Sequence, residues 1–190
     1  MKIEDYQAQA MRTLWKDGDM LLEGCMGLIG ECGEVMDVVK KWRFQSPPGS
    51  PVPVDRLIEE CGDALWYCAE LSAGLGKNLG DIYHDAEHWY EAVRTVNEDA
   101  PIETMALRLS CVASLPMRDL FDSPVQSNSA RRMQEAHAAA NVVGLVTQIR
   151  DFLEFHCGSS LEEAMELNIG KLKVRYPDGF NPALTVCRGG

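Results

Sequence analysis

Two stretches with helical periodicity carry nearly the same tetrapeptide, and this repeat restricts the fold more than any other feature of the chain. It reads Glu-Cys-Gly-Glu at 31–34 and Glu-Cys-Gly-Asp at 60–63. Around each copy, apolar residues recur at the alternating spacing that is typical of a buried helical seam. The seam residues are Leu21, Cys25, Leu28, Cys32, Val35 and Val39 in the first stretch, and Leu57, Cys61, Ala64, Cys68, Leu71 and Leu75 in the second. The sequence therefore predicts two long amphipathic helices, at about 20–44 and 55–75.

The acidic residues of the repeat have the spacing of a metal site. Residues three apart lie on the same side of an α-helix, so Glu31 pairs with Glu34 and Glu60 pairs with Asp63. If the two helices pack together, four carboxylates converge and repel one another, and a divalent cation relieves that repulsion. An all-oxygen set without a matched His or Cys favours Mg²⁺, with Mn²⁺ as a substitute, over zinc or copper. The alternative interpretation is a solvated acidic face.

The composition predicts an all-α fold in a single domain. The chain has 190 residues, aromatic residues make up only 7%, and strand-type alternation is scarce, whereas Ala, Leu, Glu and Met are plentiful. We expect one helical domain over 1–190, with a metal-binding half at 1–96 and a second helical half at 97–180. A tail follows at 181–190.

Charge and cysteine usage restrict the partners and the compartment. The formal net charge of −11 argues against DNA, RNA or an anionic membrane surface, because these partners require clustered Lys and Arg. No segment approaches the roughly 18 apolar residues of a membrane span, and the start of the chain has no signal-peptide core. The seven cysteines form no Cys-x-x-Cys pair and four lie on the seams, which favours small core residues in a reducing compartment. We expect a cytoplasmic protein.

Three residues near the repeat are candidates for substrate contact. Lys41 lies on the carboxylate side of the first helix, where it either meets a phosphate or stabilises the negative end of the helix dipole. Trp66 and Tyr67 follow Asp63 by about one turn and either stack on a base or belong to the core.

Four prolines exclude a helix at Ser46–Pro53. This segment is a connector by default and a lid in the alternative interpretation.

The last predicted helix ends with Asn168, Lys171 and Arg175 on one face, at spacings of three and four residues. An amide and two cations suit the sugar or base edge of a nucleotide and its phosphates. The alternative is a basic helix end that the helix dipole stabilises.

Three blocks resemble the MazG-like nucleotide pyrophosphohydrolases, which belong to the all-α NTP pyrophosphohydrolase superfamily. The blocks are residues 27–41, 59–67 and 168–180, and they include the Glu-x-x-Glu and Glu-x-x-Asp pattern that marks the superfamily. The resemblance implies a helical bundle that binds Mg²⁺ through the four acids of the repeat. It also implies hydrolysis of a nucleoside triphosphate to the monophosphate and pyrophosphate, with Lys41 and the C-terminal face contacting the substrate.

Under this hypothesis, Glu34 and Glu60 are the candidate catalytic residues, since one carboxylate must accept the proton of the attacking water. We assign that role to Glu34, although no sequence feature distinguishes it from the other acids. Two alternatives remain open. One is an iron or manganese carboxylate bundle, although the Glu-x-x-His motif typical of such sites is missing from the matching helices. The other is a non-enzymatic helical interaction domain.

Roughly 100 residues separate the second acidic helix from the C-terminal block, and they weakly repeat the first half. Residues 105–111 are similar to 26–32, and residues 157–161 are similar to 75–79. We hypothesise a degenerate tandem duplication whose second half lacks metal ligands and packs on the first as an intrachain pseudo-dimer. We expect a homodimer, although the pseudo-dimer would suffice to build one site per chain.

Overall fold

The computed structural model describes residues 1–15, 17–93, 99–122, 124–125 and 127–180, with the backbone alone for 87–93. The regular structure of the described residues is helical and includes no strand, which confirms the predicted all-α class. The helices are α1 (Ile3–Ala10), α2 (Met20–Gln45), α3 (Val54–Gly74), α4 (Leu79–Val93), α5 (Ile102–Ala113), α6 (Leu115–Phe121), α7 (Asn128–Phe152) and α8 (Leu161–Arg175). The predicted tail at 181–190 lies outside the described residues.

The two helices predicted from the repeat are α2 and α3, which pack side by side. α2 begins after Asp19, whose side chain accepts hydrogen bonds from the amides of Leu21 at 3.1 Å and Leu22 at 3.2 Å. α3 ends at Gly74, and the left-handed Gly76, with φ +67°, turns the chain into the next segment. Gly74 lies against Leu21, which requires the two helices to run antiparallel.

The predicted seams form the core between these helices. Ten of the seam residues are buried in one hydrophobic cluster: Cys25, Leu28, Cys32, Val35, Val39, Leu57, Cys61, Ala64, Cys68 and Leu71. Burial raises the pKa of the Cys61 and Cys68 thiols, and the described cysteines are all free. These thiols therefore act as small core residues, as the sequence predicted.

The remaining helices surround the α2–α3 pair. α5 packs on α2, α7 packs on α4, α5 and α6, and α8 packs on α1 and α3. The sequence at 102–120 predicts one helix that Pro116 kinks or ends early. The structure divides this segment, with Pro116 in the first turn of α6 after a break at Ser114. The Ser160 hydroxyl caps α8 by accepting a hydrogen bond from the Glu163 amide at 3.2 Å. The packing of α8 against α3 brings the C-terminal block to the acidic repeat.

The segment at 46–53 joins α2 to α3 and is tied to α2. The Trp42 indole N–H donates a hydrogen bond to the Ser50 carbonyl at 2.9 Å. This hydrogen bond holds the segment against the last part of α2. None of the helices in the described ranges is both long and apolar enough to cross a membrane.

Candidate metal and substrate site

Three carboxylates from the repeat converge where α2 and α3 meet. Ligand oxygens of Glu31, Glu60 and Asp63 all lie within 4.8 Å of one another. Two oxygens on opposite sides of one Mg²⁺ are about 4 Å apart, so small side-chain rotations would let the three bind one ion. Glu60 is only 6% exposed, and the other two are partly buried. The packing thus gives hard oxygen ligands from two helices in one place.

Burial makes this group of acids costly to ionise. Burial, together with the charges of Asp63 and Glu60, raises the pKa of Glu31 to about 7, although the Lys171 charge opposes the shift. Burial also raises the pKa of Glu60, against the opposing effect of the Arg56 guanidinium. A metal-free group of this kind retains a proton near neutral pH, and a bound cation would replace that proton.

Two cations neutralise part of this charge in the structure. Lys171 of α8 forms an ion pair with Asp63 and lies 3.5 Å from a carboxylate oxygen of Glu59. Arg56 forms an ion pair with Glu60 and lies 3.4 Å from the other oxygen of Glu59. Arg56 was not predicted as a site residue, although its spacing of four residues from Glu60 on a helix is a recognisable signal.

Asn168 fixes the orientation of Asp63, one of the candidate metal ligands. Its amide nitrogen donates a hydrogen bond to Asp63 at 2.8 Å, and its carbonyl oxygen accepts one from the Tyr6 hydroxyl at 2.9 Å. Gly62 makes this approach possible, because a Cβ there would lie 3.1 Å from both the Ala164 carbonyl oxygen and Asn168 Cβ. The glycine of the second tetrapeptide therefore lets α8 lie against α3.

An open cleft with a volume of about 170 Å³ extends from these acids along α2, α3 and α8. Seven of the ten predicted site residues line it: Glu31, Asp63, Trp66, Tyr67, Asn168, Lys171 and Arg175. Six other residues line the cleft that were not predicted from the sequence: Thr13, Trp15, Glu23, Leu172, Tyr176 and Phe180. The rings of Trp15 and Phe180 stack at 6.3 Å, although the two residues are far apart in sequence.

Trp66 and Tyr67 are held in place at the cleft wall. The Trp66 indole N–H donates hydrogen bonds to the Ala10 carbonyl and the Thr13 hydroxyl, both at 3.1 Å. The rings of Trp66 and Tyr67 meet edge to face, with centroids 4.9 Å apart. The Tyr67 ring lies directly on Gly27, where a Cβ would come within 2.1–2.4 Å of three ring atoms. Both aromatic residues therefore pack against the protein and also border the cleft.

Glu34 and Lys41 are not among the residues that line the cleft. Glu34 is exposed and lies outside the group of three converging carboxylates. The Lys41 ammonium lies 2.5 Å from Asp37 and its side chain is 63% exposed. The structure thus brings together three of the four predicted metal ligands and leaves the predicted phosphate contact of Lys41 on the surface of α2.

Comparison with known proteins assigns no function to this cleft. Comparison of the chain with protein families, curated proteins and solved structures finds no match. The function is therefore inferred from the cleft and its side chains.

Proposed function

We propose that the chain is a Mg²⁺-dependent nucleoside triphosphate pyrophosphohydrolase of the MazG-like type, which converts a (d)NTP to the (d)NMP and pyrophosphate. The observation that carries the proposal is the order of side chains along one cleft. A group of three carboxylates lies next to an amide and two cations, and aromatic rings continue the same surface. This order matches the chemistry of a metal-bound triphosphate, a sugar and a base.

The donor set supports a hard cation. All three converging groups are carboxylates, and no His or Cys belongs to the group within the described residues. When bound, Mg²⁺ would supply positive charge that neutralises the triphosphate and lowers the pKa of water at the site. Glu31, Glu60 and Asp63 would hold the ion, and Asn168 would keep Asp63 in position through their hydrogen bond.

The side chains around the acids fit an in-line hydrolysis. Lys171 and Arg175 would bind the phosphates, because both border the same cleft as Asp63. Water attacks the α-phosphorus, the bond from that phosphorus to the bridging oxygen breaks, and pyrophosphate leaves. Glu34 was predicted as the proton acceptor, but it is exposed and does not line the cleft. One of the three converging carboxylates would therefore accept the proton of the attacking water.

We also infer that the second half of the chain acts as a built-in partner, as in a degenerate tandem duplication. Its helices cover the acidic half: α5 packs on α2, where the Ser110 hydroxyl donates to the Cys32 carbonyl at 3.1 Å. α8 supplies Asn168 and Lys171 to the acids. Under this proposal a homodimer adds no residue to the site, so specific activity should stay constant on dilution to monomer.

The test is to incubate the pure chain with ribo- and deoxynucleoside triphosphates and Mg²⁺ and to quantify monophosphate and pyrophosphate. We expect turnover that EDTA abolishes and Mn²⁺ partly restores. Glu60→Gln should reduce kcat/KM at least about 100-fold, because it alters a metal ligand. The matched control is Glu135→Gln on α7, which removes a surface ion pair with Arg131 and should leave turnover unchanged.

Two results would overturn the proposal. One is the absence of turnover with every triphosphate at saturating Mg²⁺. The other is release of orthophosphate and diphosphate instead of pyrophosphate and monophosphate, which would move the cleaved bond to the γ-phosphate.

A further inference from the structure

Two rows of side chains face each other along the seam between α2 and α3. The row on α2 consists of Glu23, Gly27 and Glu31, which are spaced four residues apart. The row on α3 runs in the opposite direction and consists of Glu70, Tyr67 and Asp63. Glu31 meets Asp63, and Gly27 meets the Tyr67 ring. In the same register, the next residues to face each other are Glu23 and Glu70, and the negative charge of Glu23 raises the pKa of Glu70. A second acidic pair thus lies beyond Tyr67, away from the candidate metal ligands.

The two members of this pair have different access to the cleft. Glu70 is 0% exposed and neither of its carboxylate oxygens has a hydrogen-bond partner among the described residues. Burial, with the added effect of Glu23, raises the pKa of Glu70 to about 8. Glu70 is therefore a neutral acid at pH 7 and does not line the cleft. Only the Glu23 carboxylate is presented to a ligand, which argues against a second divalent-cation site here.

Glu23 lies at the aromatic part of the cleft. It lines the same cleft as Trp15, Trp66 and Tyr67. One of its carboxylate oxygens lies 2.7 Å from the position that a Cβ on Gly18 would take, so the carboxylate rests against the turn that follows Trp15. Eight residues separate Glu23 from Glu31, which is about 12 Å along the helix axis. That distance is comparable to the span of a nucleotide from its α-phosphate to the far edge of its base.

We propose that Glu23 selects the base of the substrate, and that its two oxygens accept hydrogen bonds from two adjacent N–H donors, the pattern that guanine presents. This inference rests on the proposed function, since it requires the triphosphate to lie at Glu31 and Asp63. An ionised carboxylate is an acceptor only, and its hydrogen bonds from two parallel donors are strong and directional.

The other common bases lack this donor pair. Guanine carries N1–H beside its N2 amino group. Adenine and cytosine place a ring-nitrogen acceptor beside the amino group, and uracil and thymine place one N–H between two carbonyl oxygens. In each of these bases, at least one acceptor would face the acceptor oxygens of Glu23. A site that hydrogen-bonds to the polar edge of one base discriminates against the others, because their edges leave polar groups of the site without a hydrogen-bond partner.

The experiment measures kcat/KM with Mg²⁺ for the triphosphates of guanosine, inosine, adenosine, cytidine and uridine. We expect kcat/KM for guanosine triphosphate to exceed the values for the adenosine, cytidine and uridine triphosphates at least about tenfold. Inosine keeps N1–H and lacks the N2 amine, so it should fall about tenfold below guanosine. Glu23→Gln should lower the value for guanosine about 10- to 100-fold. The same variant should leave kcat/KM for adenosine and cytidine triphosphates unchanged or should raise it, because an amide offers both a hydrogen-bond donor and an acceptor to these bases.

Glu135→Gln serves as the control and should preserve the whole order of bases. Far-ultraviolet circular dichroism and a melting curve check that Glu23→Gln folds. Equal loss with every base in Glu23→Gln would overturn the inference and indicate a general structural role. Turnover without guanosine preference would overturn the inference while the proposed function stands. Failure of every triphosphate to react would overturn both.

Discussion

The contact between Gly27 and Tyr67 gives a quantitative test of the α2–α3 packing. In Gly27→Ala, the new methyl group would lie 2.1–2.4 Å from three atoms of the Tyr67 ring. The ring must therefore shift by roughly 1 Å to restore ordinary van der Waals contact. It cannot do so without disturbing its edge-to-face contact with Trp66, whose indole is hydrogen-bonded to α1 and the turn that follows it.

The magnitude follows from comparing two opposing effects. Overpacking of this kind costs about 1–3 kcal/mol, whereas replacing a glycine inside a helix by alanine stabilises it by about 1 kcal/mol. Gly30 provides the control, since it lies in the same helix and a Cβ there meets no atom within 4 Å. Gly30→Ala should therefore gain about 1 kcal/mol. The two variants share the helix-propensity gain, so their difference measures the contact alone.

The assay is urea unfolding of wild type, Gly27→Ala and Gly30→Ala, followed by circular dichroism. We expect Gly27→Ala to be less stable than Gly30→Ala by about 1–3 kcal/mol. Because Tyr67 borders the cleft, Gly27→Ala should also weaken nucleotide binding, whereas Gly30→Ala should not. Equal free energies of unfolding for the two variants, within about 0.3 kcal/mol, would refute the packing of Tyr67 on Gly27.

Two further predictions concern charged side chains. Burial, with the Glu23 charge, raises the pKa of Glu70 to about 8, above its ordinary 4.5. The free energy of unfolding should therefore fall as pH rises through that interval. From pH 5 to pH 8 the fall should be on the order of 2–4 kcal/mol larger in wild type than in Glu70→Gln. An equal pH dependence of the free energy of unfolding in the two proteins would contradict this prediction. Lys171→Ala and Arg175→Ala should each raise the KM for triphosphate more than the Kd for Mg²⁺ measured by calorimetry, because phosphate is the expected counterpart of these cations. Unchanged kinetic constants in both variants would make the C-terminal cations a structural helix end.

Local periodicity determined much of the fold. The apolar spacing around the repeated tetrapeptide predicted all four ends of α2 and α3 to within one residue. A helix with one buried face must repeat that face every three to four residues. Pro116 predicted the break between α5 and α6, because proline cannot continue a helix. The sequence predicts a first helix over about 3–15, but α1 ends at Ala10 and a 3₁₀ turn follows at Met11–Thr13. It also predicts a helix over about 79–96, and the end of that segment lies outside the described residues.

The composition of the site could be predicted only in part. The spacing of the repeat identified the acidic residues, but it treated Glu31 and Glu34 as equivalent. Residues three apart differ by about 60° around the helix axis, and the side on which α3 packs turns Glu31 toward Asp63 while Glu34 stays exposed. Periodicity does not specify this side, because it depends on the shape of both helices.

The sequence by itself determined which segments are helices, which faces are buried and which acids have the spacing of metal ligands. The tertiary structure alone decided that Lys171, more than 100 residues from Asp63, pairs with it. It also set Glu23 against the buried Glu70. The physical reason is that helix formation depends on neighbours within about one turn. Contacts between distant segments instead depend on how whole faces fit together, and the one-dimensional pattern contains no information on that fit.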